Sequence, residues 1–384
     1  MSRRAHRWYL VLAIGLALVL AVGGCVFKKA AQGEKTPIII GIATSLTGGG
    51  AGSGNHIWWG AQLAVDDLNA AGGVGGREVK LVVEDDATSP AQAVSAVNAL
   101  IMQQKVDAII GGNWSSLAMP VIPVVEREGV PFIVTSASTP AITAPGRQWT
   151  FRLHQSDATA ASQAANFIIN TLKLTEIAVM HDTGDYGTGC KDFFVAAGRM
   201  FGVKPLTVEP YNTGDKDFTA QLVKIRASGA KALGLFGVYP EVSLITLQAR
   251  DLGMNDLKIV MTGISQQAYI DLAPGASEGV YAVTPFNAEV DDPEVRDFAQ
   301  RYRARFQLDP PHQASNTYQA IVRVLAPIWA EVGTADKTAV RDAIRKSTWD
   351  AFGQTGIHFG ADHQVSMKSI IIQVTNGRFV VTPH

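Results

Sequence analysis

The sequence predicts an α/β protein built from two Rossmann-like lobes. Short apolar stretches typical of buried strands alternate with helical stretches over most of residues 37–283. The alternation runs through two successive series, and such alternation implies parallel sheets with helices on both faces. Three further helical stretches and a terminal pair of strands follow, which predicts several crossings of the chain between the two lobes.

The first series contains four predicted strands and three predicted helices. The strands are apolar runs bounded by turn residues, and Pro90 with Ser89 before it marks the start of a helix. We predict strands at residues 38–43, 78–85, 108–110 and 130–134, and helices at 57–71, 90–104 and 117–128.

The second series and the C-terminal part follow the same patterns. We predict strands at residues 177–180, 206–211, 232–236, 258–261 and 280–283. We predict helices at residues 157–172, 218–228 and 239–252, and a further helix that follows the loop at 181–187 and ends at residue 201. The last section contains three successive helices, at 293–306, 315–332 and 337–346. Two closing strands, 369–374 and 378–382, are joined by Asn376 and Gly377, a strong hairpin signal.

Composition and motifs exclude several classes of function. The chain has 384 residues, which is enough for two domains. It carries 33 Lys and Arg against 34 Asp and Glu, so it lacks the excess of positive charge that would indicate binding of nucleic acid. The two cysteines, Cys25 and Cys190, are too few for a disulfide framework or a cysteine-rich metal site. The glycine-rich stretch 48–55 lacks the Lys-Ser/Thr ending of a phosphate loop, and we predict a flexible turn there. We expect no metal, no cofactor and no catalytic residue.

Residues 1–24 are predicted to be a signal peptide of the lipoprotein type. Three arginines precede an apolar run of 14 residues at 9–22, and small residues then lead to Cys25. Small residues before a cysteine resemble the bacterial lipobox, which implies cleavage before Cys25 and diacylation of its thiol. The alternative is an ordinary signal peptide that contains a cysteine. Residues 25–36 are predicted to be a tether, so we expect a lipid-anchored protein on the extracytoplasmic face of the cell membrane, in the periplasm or at the cell surface.

Two predicted strands end in small hydroxylated residues. The strand at 108–110 leads through two glycines to Ser115 and Ser116 at the start of a helix, and the strand at 130–134 ends in TSAST. In open parallel sheets ligands sit beyond the carboxyl ends of strands. A helix N-terminus offers free N–H groups and a partial positive charge, which suit a carboxylate or phosphate. The alternative is that the two serines only cap the helix.

Nearly the whole chain from Pro37 to His384 resembles the branched-chain amino acid binding proteins of ABC transporters, which have the type I periplasmic-binding-protein fold. The motifs that carry the resemblance are IIIGIATSLTG, GAQLAVDDLNAAGGVGGREVKLVVEDDATSPAQAV, the pair IIGGNWSS and PFIVTSAST, HDTGDYGTG, YNTGDKDFTAQLVKIRASGA and SNTYQAIVRVLAPI. Each motif alone is weak, whereas their order and spacing are specific. The resemblance implies two lobes joined by a three-stranded hinge, which close over a ligand bound between them.

The resemblance also implies where the lobes divide. By analogy, the crossings of the hinge lie near residues 154–157, 284–287 and 361–365. Lobe 1 is then expected to comprise residues 37–156 and 286–364, and lobe 2 to comprise residues 157–285 and 365–384.

A ligand site follows from the same resemblance. Ser115, Ala137 and Thr139 match the positions that hold the α-carboxylate of the ligand, in agreement with the hydroxyl and N–H groups expected at these strand ends. Tyr186 and Tyr239 match second-lobe aromatic residues that face the ligand. The alternative for either tyrosine is packing at the base of a loop.

One departure from the family pattern affects the expected ligand. Amino-acid binders of this family usually place an acidic residue after the strand at 258–261 to pair with the ligand ammonium, but Ile264 and its neighbours are uncharged. Burying an unpaired ammonium is unfavourable. An amino acid would therefore need another partner, and the candidates are Asp182, Asp185, Glu241 and the ring faces of Tyr186 and Tyr239. Otherwise the ligand is a small aliphatic or aromatic carboxylate, or an amide.

A second departure is Ser53, which stands near the place of a first-lobe aromatic residue and leaves space for a bulkier ligand. Trp114, beside Ser115, is expected to line or narrow the cleft. Trp58 and Trp59 are expected to pack within the protein as parts of a helix.

The leading functional hypothesis is a lipid-anchored solute receptor that works with the permease and ATPase subunits of an ABC importer. Its ligand would be a branched-chain or other hydrophobic amino acid, or a related aliphatic or aromatic acid. The alternative is a ligand sensor of the same fold, for example for amides, that feeds a signalling partner, because fold alone does not decide between them. An enzyme is disfavoured, since no candidate nucleophile has a recognisable base and orienting partner.

Overall fold

The computed structural model describes residues 36–382. The predicted signal peptide, Cys25 and the tether before residue 36 lie outside the described residues. Within residues 36–382, no helix combines the length and the apolar character needed to cross a membrane. Two large sheets, each flanked by helices, divide this part of the chain, and we name the regions around them lobe 1 and lobe 2.

Lobe 1 contains a five-stranded sheet in the order β2-β1-β3-β4-β5, in which all neighbours are parallel. Its strands are β1 (Ile38–Thr44), β2 (Val79–Asp85), β3 (Ala108–Gly111), β4 (Phe132–Val134) and β5 (Thr150–Arg152). The first three strand connections contain helices α1 (Ala51–Ala70), α2 (Pro90–Met102) and α3 (Ser115–Glu128), and the last contains a 3-10 turn, Pro140–Thr143. Because the strands are parallel, the loops after β1, β3 and β4 meet at one edge of the sheet.

Lobe 2 contains a seven-stranded sheet in the order β14-β13-β10-β9-β8-β6-β7. Its five parallel strands are β6 (Ile177–Asp182), β7 (Thr207–Tyr211), β8 (Ala232–Phe236), β9 (Lys258–Thr262) and β10 (Tyr281–Thr284). Its helices are α4 (Asp157–Asn166), extended by the π-helical Phe167–Thr171, then α5 (Asp185–Met200), α6 (Thr219–Ala227), α7 (Tyr239–Asp251) and α8 (Gln267–Leu272).

After β10 the chain returns to lobe 1. This section consists of α9 (Pro293–Phe306), α10 (His312–Gln319), a π-helical segment (Ala320–Leu325), α11 (Ala326–Val332), α12 (Lys337–Lys346) and the hairpin strands β11 (Thr348–Ala351) and β12 (Gln354–His358). Phe298, Tyr302 and Ile321 from this section share one hydrophobic core with Ile40 and Ile57. Lobe 1 is therefore assembled from two separate stretches of the chain.

A C-terminal hairpin completes lobe 2. Strands β13 (Ile370–Thr375) and β14 (Arg378–Val381) add an antiparallel edge to its sheet next to β10. Asn376 and Gly377 have φ angles of 52° and 72°, as a two-residue turn of this type requires. The predicted hairpin is confirmed, and the chain passes between the two sheets three times, after β5, after β10 and before β13.

The prediction of a flexible turn over residues 48–55 is wrong for its second half, because α1 begins at Ala51. The helix was expected only from residue 57, since glycine disfavours helices. A Cβ on Gly54 would lie 2.0 Å from the carbonyl oxygen of Ser45. The close approach of α1 to the preceding loop therefore requires glycine here, and tertiary packing overrides the local helix propensity.

Strand β5 was not predicted, because its three residues form too short an apolar run and end in Arg152. Arg152 is only 2% exposed. Its guanidinium donates to the carbonyl oxygen of Ser138 at 2.6 Å and to that of Thr139. These bonds compensate the burial of the charge and tie β5 to the loop after β4.

Candidate ligand-binding site

A cavity lies between the two lobes, a position that small-molecule sites often occupy. Lobe 1 and the segment after β5 contribute Ser53, Asn113, Trp114, Ser115, Ser136, Ala137, Ser138, His154, His312 and Gln313. Lobe 2 contributes Tyr186, Gly237, Val238, Tyr239, Gly263, Ile264 and Gln266. Of the eight residues predicted from the sequence, seven line this cavity and Thr139 does not.

Ser115 is the first residue of α3, directly after the turn that follows β3. The N-cap residue is Trp114, whose side chain makes no capping hydrogen bond, so the alternative in which the two serines only cap the helix is wrong. The Ser115 hydroxyl oxygen accepts a hydrogen bond from the N–H of Thr139 at 3.3 Å, which leaves the hydroxyl hydrogen available. N–H groups in the first turn of a helix have no helical acceptor. Ser115 therefore brings two donors and the positive end of α3 to the cavity.

The other two residues of the predicted carboxylate clamp use their N–H groups inside the protein. The N–H of Ala137 donates to the carbonyl oxygen of Gly112 at 2.8 Å. The N–H of Thr139 donates to Ser115, as described above, and Thr139 is only 6% exposed. The loop after β4 thus supports Ser115, and of the three predicted clamp residues only Ser115 has donors left for a carboxylate.

Ser53 belongs to a buried hydrogen-bond network at the rim of the cavity. Its hydroxyl is 2.8 Å from the amide oxygen of Asn113, to which it donates. The Asn113 amide nitrogen donates to the carbonyl oxygen of Gly50 at 3.0 Å and to the hydroxyl of Ser45 at 3.2 Å. The Ser45 hydroxyl in turn donates to Asp86 at 2.6 Å. This network holds the turn before α1 against the end of β3.

Two tyrosines form much of the lobe 2 wall. The Tyr186 hydroxyl donates to the main-chain carbonyl of Thr262 at 2.6 Å, so its ring is fixed beside the cavity. The Tyr239 hydroxyl bonds to Gly49 in the loop before α1 and to Gly52 in the first turn of α1, both in lobe 1. Since Tyr239 belongs to lobe 2, the cleft is closed in this structure. Both tyrosines line the cavity and are also anchored by their hydroxyls.

Apolar side chains supply the rest of the wall. Trp114 packs against the cores of both lobes, and Val238 and Ile264 face the same cavity from lobe 2. As predicted, Trp59 packs inside the protein, where its ring stacks on Phe306 with 5.2 Å between centroids. The cavity thus offers apolar surface to the body of a ligand.

Uncharged polar side chains form another part of the lining. The rings of His154 and His312 stack with their centroids 4.6 Å apart. Nδ1 of His312 lies 3.1 Å from the hydroxyl of Ser265, which joins lobe 1 to lobe 2 beside Gln266. Burial lowers the pKa of both histidines, to about 3 for His312, so both rings are neutral at pH 7. Gln313 completes this group.

The sequence did not reveal this group, because its members come from three distant segments. His154 follows β5, Gln266 precedes α8, and His312 and Gln313 begin α10. Only Gln266 had a usable signal, since it stands in the stretch where the family's acidic residue is usually found. His154, His312 and Gln313 had no such signal, and only the three-dimensional structure shows that they line the cavity.

The acidic residues considered as ammonium partners do not line the cavity. Asp185 is exposed, whereas Asp182 and Glu241 are each 4% exposed. A Cβ added to Gly237, which lines the cavity, would lie 3.3 Å from Oδ2 of Asp182, so this carboxylate sits behind the wall. Burial raises the pKa of Asp182 to about 6, and the charge of Glu241 adds to the shift. Of the proposed partners, only the two tyrosine rings border the cavity.

One stretch of the described chain fits a sequence pattern that is typical of a catalytic serine. Residues 275–279, GASEG, fit the pattern GxSxG, but Ser277 lies in a turn after α8 and not between a strand and a helix. Its N–H donates to the carbonyl oxygen of Ala273 at 3.0 Å. Among residues 36–382, no group of three or more His, Cys, Asp or Glu side chains is placed to hold a metal ion.

Comparison with known proteins gives several matches. The sequence profile of a family described as periplasmic binding protein matches residues 37–378. An amino acid binding protein of Pseudomonas aeruginosa is 38% identical over 217 residues, which cover 56% of this chain and 58% of that protein. The leucine-, isoleucine-, valine-, threonine- and alanine-binding protein of the same organism is 32% identical over 86% of this chain and 87% of its own length.

A solved structure extends the similarity to the fold. The branched-chain amino acid transporter substrate binding protein LivJ of Streptococcus pneumoniae, determined in complex with isoleucine, matches with a TM-score of 0.84. The two chains are 26% identical, and the match covers 89% of this chain and 97% of the other. The predicted α/β fold with two lobes is therefore confirmed. The chain belongs to the periplasmic binding protein family, among the branched-chain amino acid binding proteins, and it is a solute-binding protein.

Proposed function

We propose that this protein is the extracytoplasmic receptor of an ABC importer and binds a small carboxylate-bearing ligand between its lobes. The observation that carries the proposal is the position of Ser115, whose free hydroxyl hydrogen and N–H lie at the positive end of α3 beside the closed cavity. Among the described residues that line this cavity, none is Asp, Glu, Lys or Arg. A carboxylate complements such donors at a helix N-terminus.

The similar proteins support this ligand class. One is described as binding leucine, isoleucine, valine, threonine and alanine, and another was determined with isoleucine. The apolar wall formed by Trp114, Val238 and Ile264 suits the body of such molecules. The candidate ligands are a branched-chain or other hydrophobic amino acid, or a related aliphatic or aromatic acid.

Calorimetry on the mature protein tests the ligand class. The panel contains leucine, 4-methylpentanoate, benzoate and 4-methylpentanamide. We expect at least one carboxylate to bind with a dissociation constant near 1 μM, about −8 kcal/mol. Binding of the amide alone would contradict the carboxylate proposal and would favour an amide sensor.

The importer role requires partners and a division into lobes. We propose that a permease and an ATPase receive the ligand from the closed receptor. We also propose that lobe 1 comprises residues 37–156 and 286–364, and lobe 2 residues 157–285 and 365–384. Deletion of the gene should abolish high-affinity uptake of the radiolabelled ligand. Unchanged uptake with a lost transcriptional response would instead indicate a sensor.

A lipid anchor at Cys25 is part of the proposal. Its support is the sequence of residues 1–25, in which a positive start, an apolar run and small residues precede the cysteine. Cys25→Ser should abolish labelling by radioactive palmitate and release the protein from the membrane fraction. Cys190→Ser is the matched control, because Cys190 is fully buried and should leave both properties unchanged. Retained labelling of the Cys25 variant would contradict the anchor.

A further inference from the structure

We infer that the preferred ligand is a hydroxy-substituted carboxylic acid without an ammonium group, an inference that rests on the proposed function. The carboxylate is taken to bind at Ser115. The hydroxyl is then recognised by the uncharged polar group of the cavity, which consists of His154, Gln266, His312 and Gln313.

Gln313 supplies the acceptor. Its side chain is 3% exposed and lines the cavity, yet its amide oxygen is buried and has no hydrogen-bond partner among the described residues. A buried polar atom without a partner is unfavourable, and native structures rarely retain one without a reason. This oxygen is shielded in the present structure, and a ligand hydroxyl would satisfy it once the Gln313 side chain turns the oxygen toward the cavity.

Gln266 and His154 supply donors. The amide oxygen of Gln266 accepts from the N–H of Ser265 at 3.0 Å, which leaves the amide nitrogen as the remaining donor. The amide nitrogen of Asn316 donates to the carbonyl oxygen of Thr135 at 3.0 Å and to Nδ1 of His154 at 3.2 Å. Nδ1 of this neutral ring is therefore the acceptor, and Nε2 carries the hydrogen. The lining of one cavity thus contains these two donors as well as the Gln313 acceptor.

A hydroxyl matches this set better than an ammonium group does. A hydroxyl both donates and accepts, whereas an ammonium group only donates and would leave the donors of Gln266 and His154 unpaired. An ammonium group also needs a negative partner when buried. The carboxylates of Asp182 and Glu241 lie outside the lining, and the neighbouring His154 and His312 are neutral. The ring faces of the tyrosines are weaker partners than a carboxylate.

Two matched sets of acids test the inference by calorimetry. The first is leucine, 2-hydroxy-4-methylpentanoate and 4-methylpentanoate, and the second is phenylalanine, phenyllactate and 3-phenylpropanoate. Within each set only one group changes, from ammonium to hydroxyl to hydrogen. In the set that binds, we expect the hydroxy acid to bind at least about 10-fold more tightly than the amino acid, and more tightly than the unsubstituted acid.

The outcomes separate the two proposals. If an amino acid or an unsubstituted acid is the tightest ligand of its set, the inference is overturned and the carboxylate proposal stands. If no acid of either set and no benzoate binds, while an amide does, both are overturned.

Single substitutions test which residues cause the preference for a ligand hydroxyl. Gln266→Leu and Gln313→Leu should each reduce the affinity ratio between the hydroxy acid and the unsubstituted acid by about 5-fold or more. This ratio does not depend on the fraction of folded protein. Gln267→Leu is the control, because Gln267 is adjacent in sequence but does not line the cavity. An unchanged ratio in both cavity variants would overturn the inference.

Discussion

The hydroxyl of Tyr239 in lobe 2 donates a hydrogen bond to the carbonyl oxygen of Gly49 in lobe 1 at 2.9 Å. The same hydroxyl accepts a hydrogen bond from the N–H of Gly52 at 3.1 Å. These bonds join the start of α7 to the start of α1 beside the cavity. Direct contact between the lobes therefore stabilises the closed cleft in addition to any contact through a ligand.

Tyr239→Phe should weaken ligand binding without unfolding the protein. The variant loses both bonds, which only the closed cleft contains, and each is worth about 0.5–1.5 kcal/mol net. Together they amount to about 1–3 kcal/mol, so we expect the dissociation constant to rise roughly 5- to 150-fold in calorimetry. Tyr269→Phe is the control, because its hydroxyl lies 3.0 Å from that of Thr246 within lobe 2. It should lower Tm and leave affinity unchanged, whereas equal affinities for wild type and Tyr239→Phe would contradict the role of the bonds.

Gly52→Ala should prevent full closure. A Cβ at this position would lie 2.6 Å from the hydroxyl oxygen of Tyr239 and 2.9 Å from its Cζ. We expect the ligand-bound variant to have a larger radius of gyration by X-ray scattering and at least about 10-fold weaker binding. Gly49→Ala is the control, since its Cβ would meet only the Trp114 ring at 3.8 Å. Scattering curves that coincide for both variants would refute the steric explanation.

Ser115→Ala should weaken a carboxylate ligand more than Thr139→Ala does. The first change removes a hydroxyl donor to a charged group, worth about 1.5–3 kcal/mol, or roughly 10- to 100-fold in affinity. The second leaves the main-chain N–H that bonds to Ser115 in place and removes a side chain outside the lining. We expect Thr139→Ala to change affinity less than about 3-fold. A larger loss in Thr139→Ala than in Ser115→Ala would show that the clamp is centred on the loop after β4.

Asp182→Asn should change how stability depends on pH. Burial raises the pKa of Asp182 from 3.8 to about 6 in the folded protein. Between about pH 4 and pH 6 the Asp182 carboxyl therefore stays protonated in the folded protein but is ionised in the unfolded chain. Its contribution to the free energy of unfolding is full below pH 4 and is lost above pH 6. The variant, which stays neutral, should match wild type near pH 4 and be more stable by about 2–3 kcal/mol at most above pH 6.5.

Thermal unfolding monitored by circular dichroism between pH 4 and pH 8 measures this difference. Asp185→Asn is the control, because Asp185 is exposed and lies only three residues further on, at the start of α5. A constant difference in Tm between Asp182→Asn and wild type across this range would mean that the residue is ionised throughout.

The parts of the fold that the sequence predicts are those with strong local signals. Strands β1 and β6 are apolar runs, and the terminal hairpin is marked by Asn376 and Gly377. The start of α1 and strand β5 were missed, because each depends on contacts with distant segments. Gly54 is explained only by the nearby carbonyl oxygen of Ser45, and Arg152 only by the carbonyl oxygens that its guanidinium meets.

The candidate site divides in the same way. Ser115 could be predicted because a strand, a turn and a helix N-terminus are consecutive in the sequence. The tyrosines were identified by resemblance to a family. His154 and Gln313 could not be predicted, because they come together only when the segment after β5 meets α10. The sequence also could not show that Asp182 stays outside the cavity. In the fold, Gly237 lines the cavity and Asp182 lies behind it.

The division of both lobes into separate stretches has a consequence for biogenesis. The core of lobe 1 includes Ile40 near its beginning and Phe298 from α9, and the lobe 2 sheet includes β13 and β14. Neither lobe can complete its core while the ribosome is still making the first three quarters of the chain. Domains usually fold as units during synthesis, so this arrangement keeps the nascent polypeptide unfolded for longer. The proposed export of this protein across a membrane would benefit from that delay.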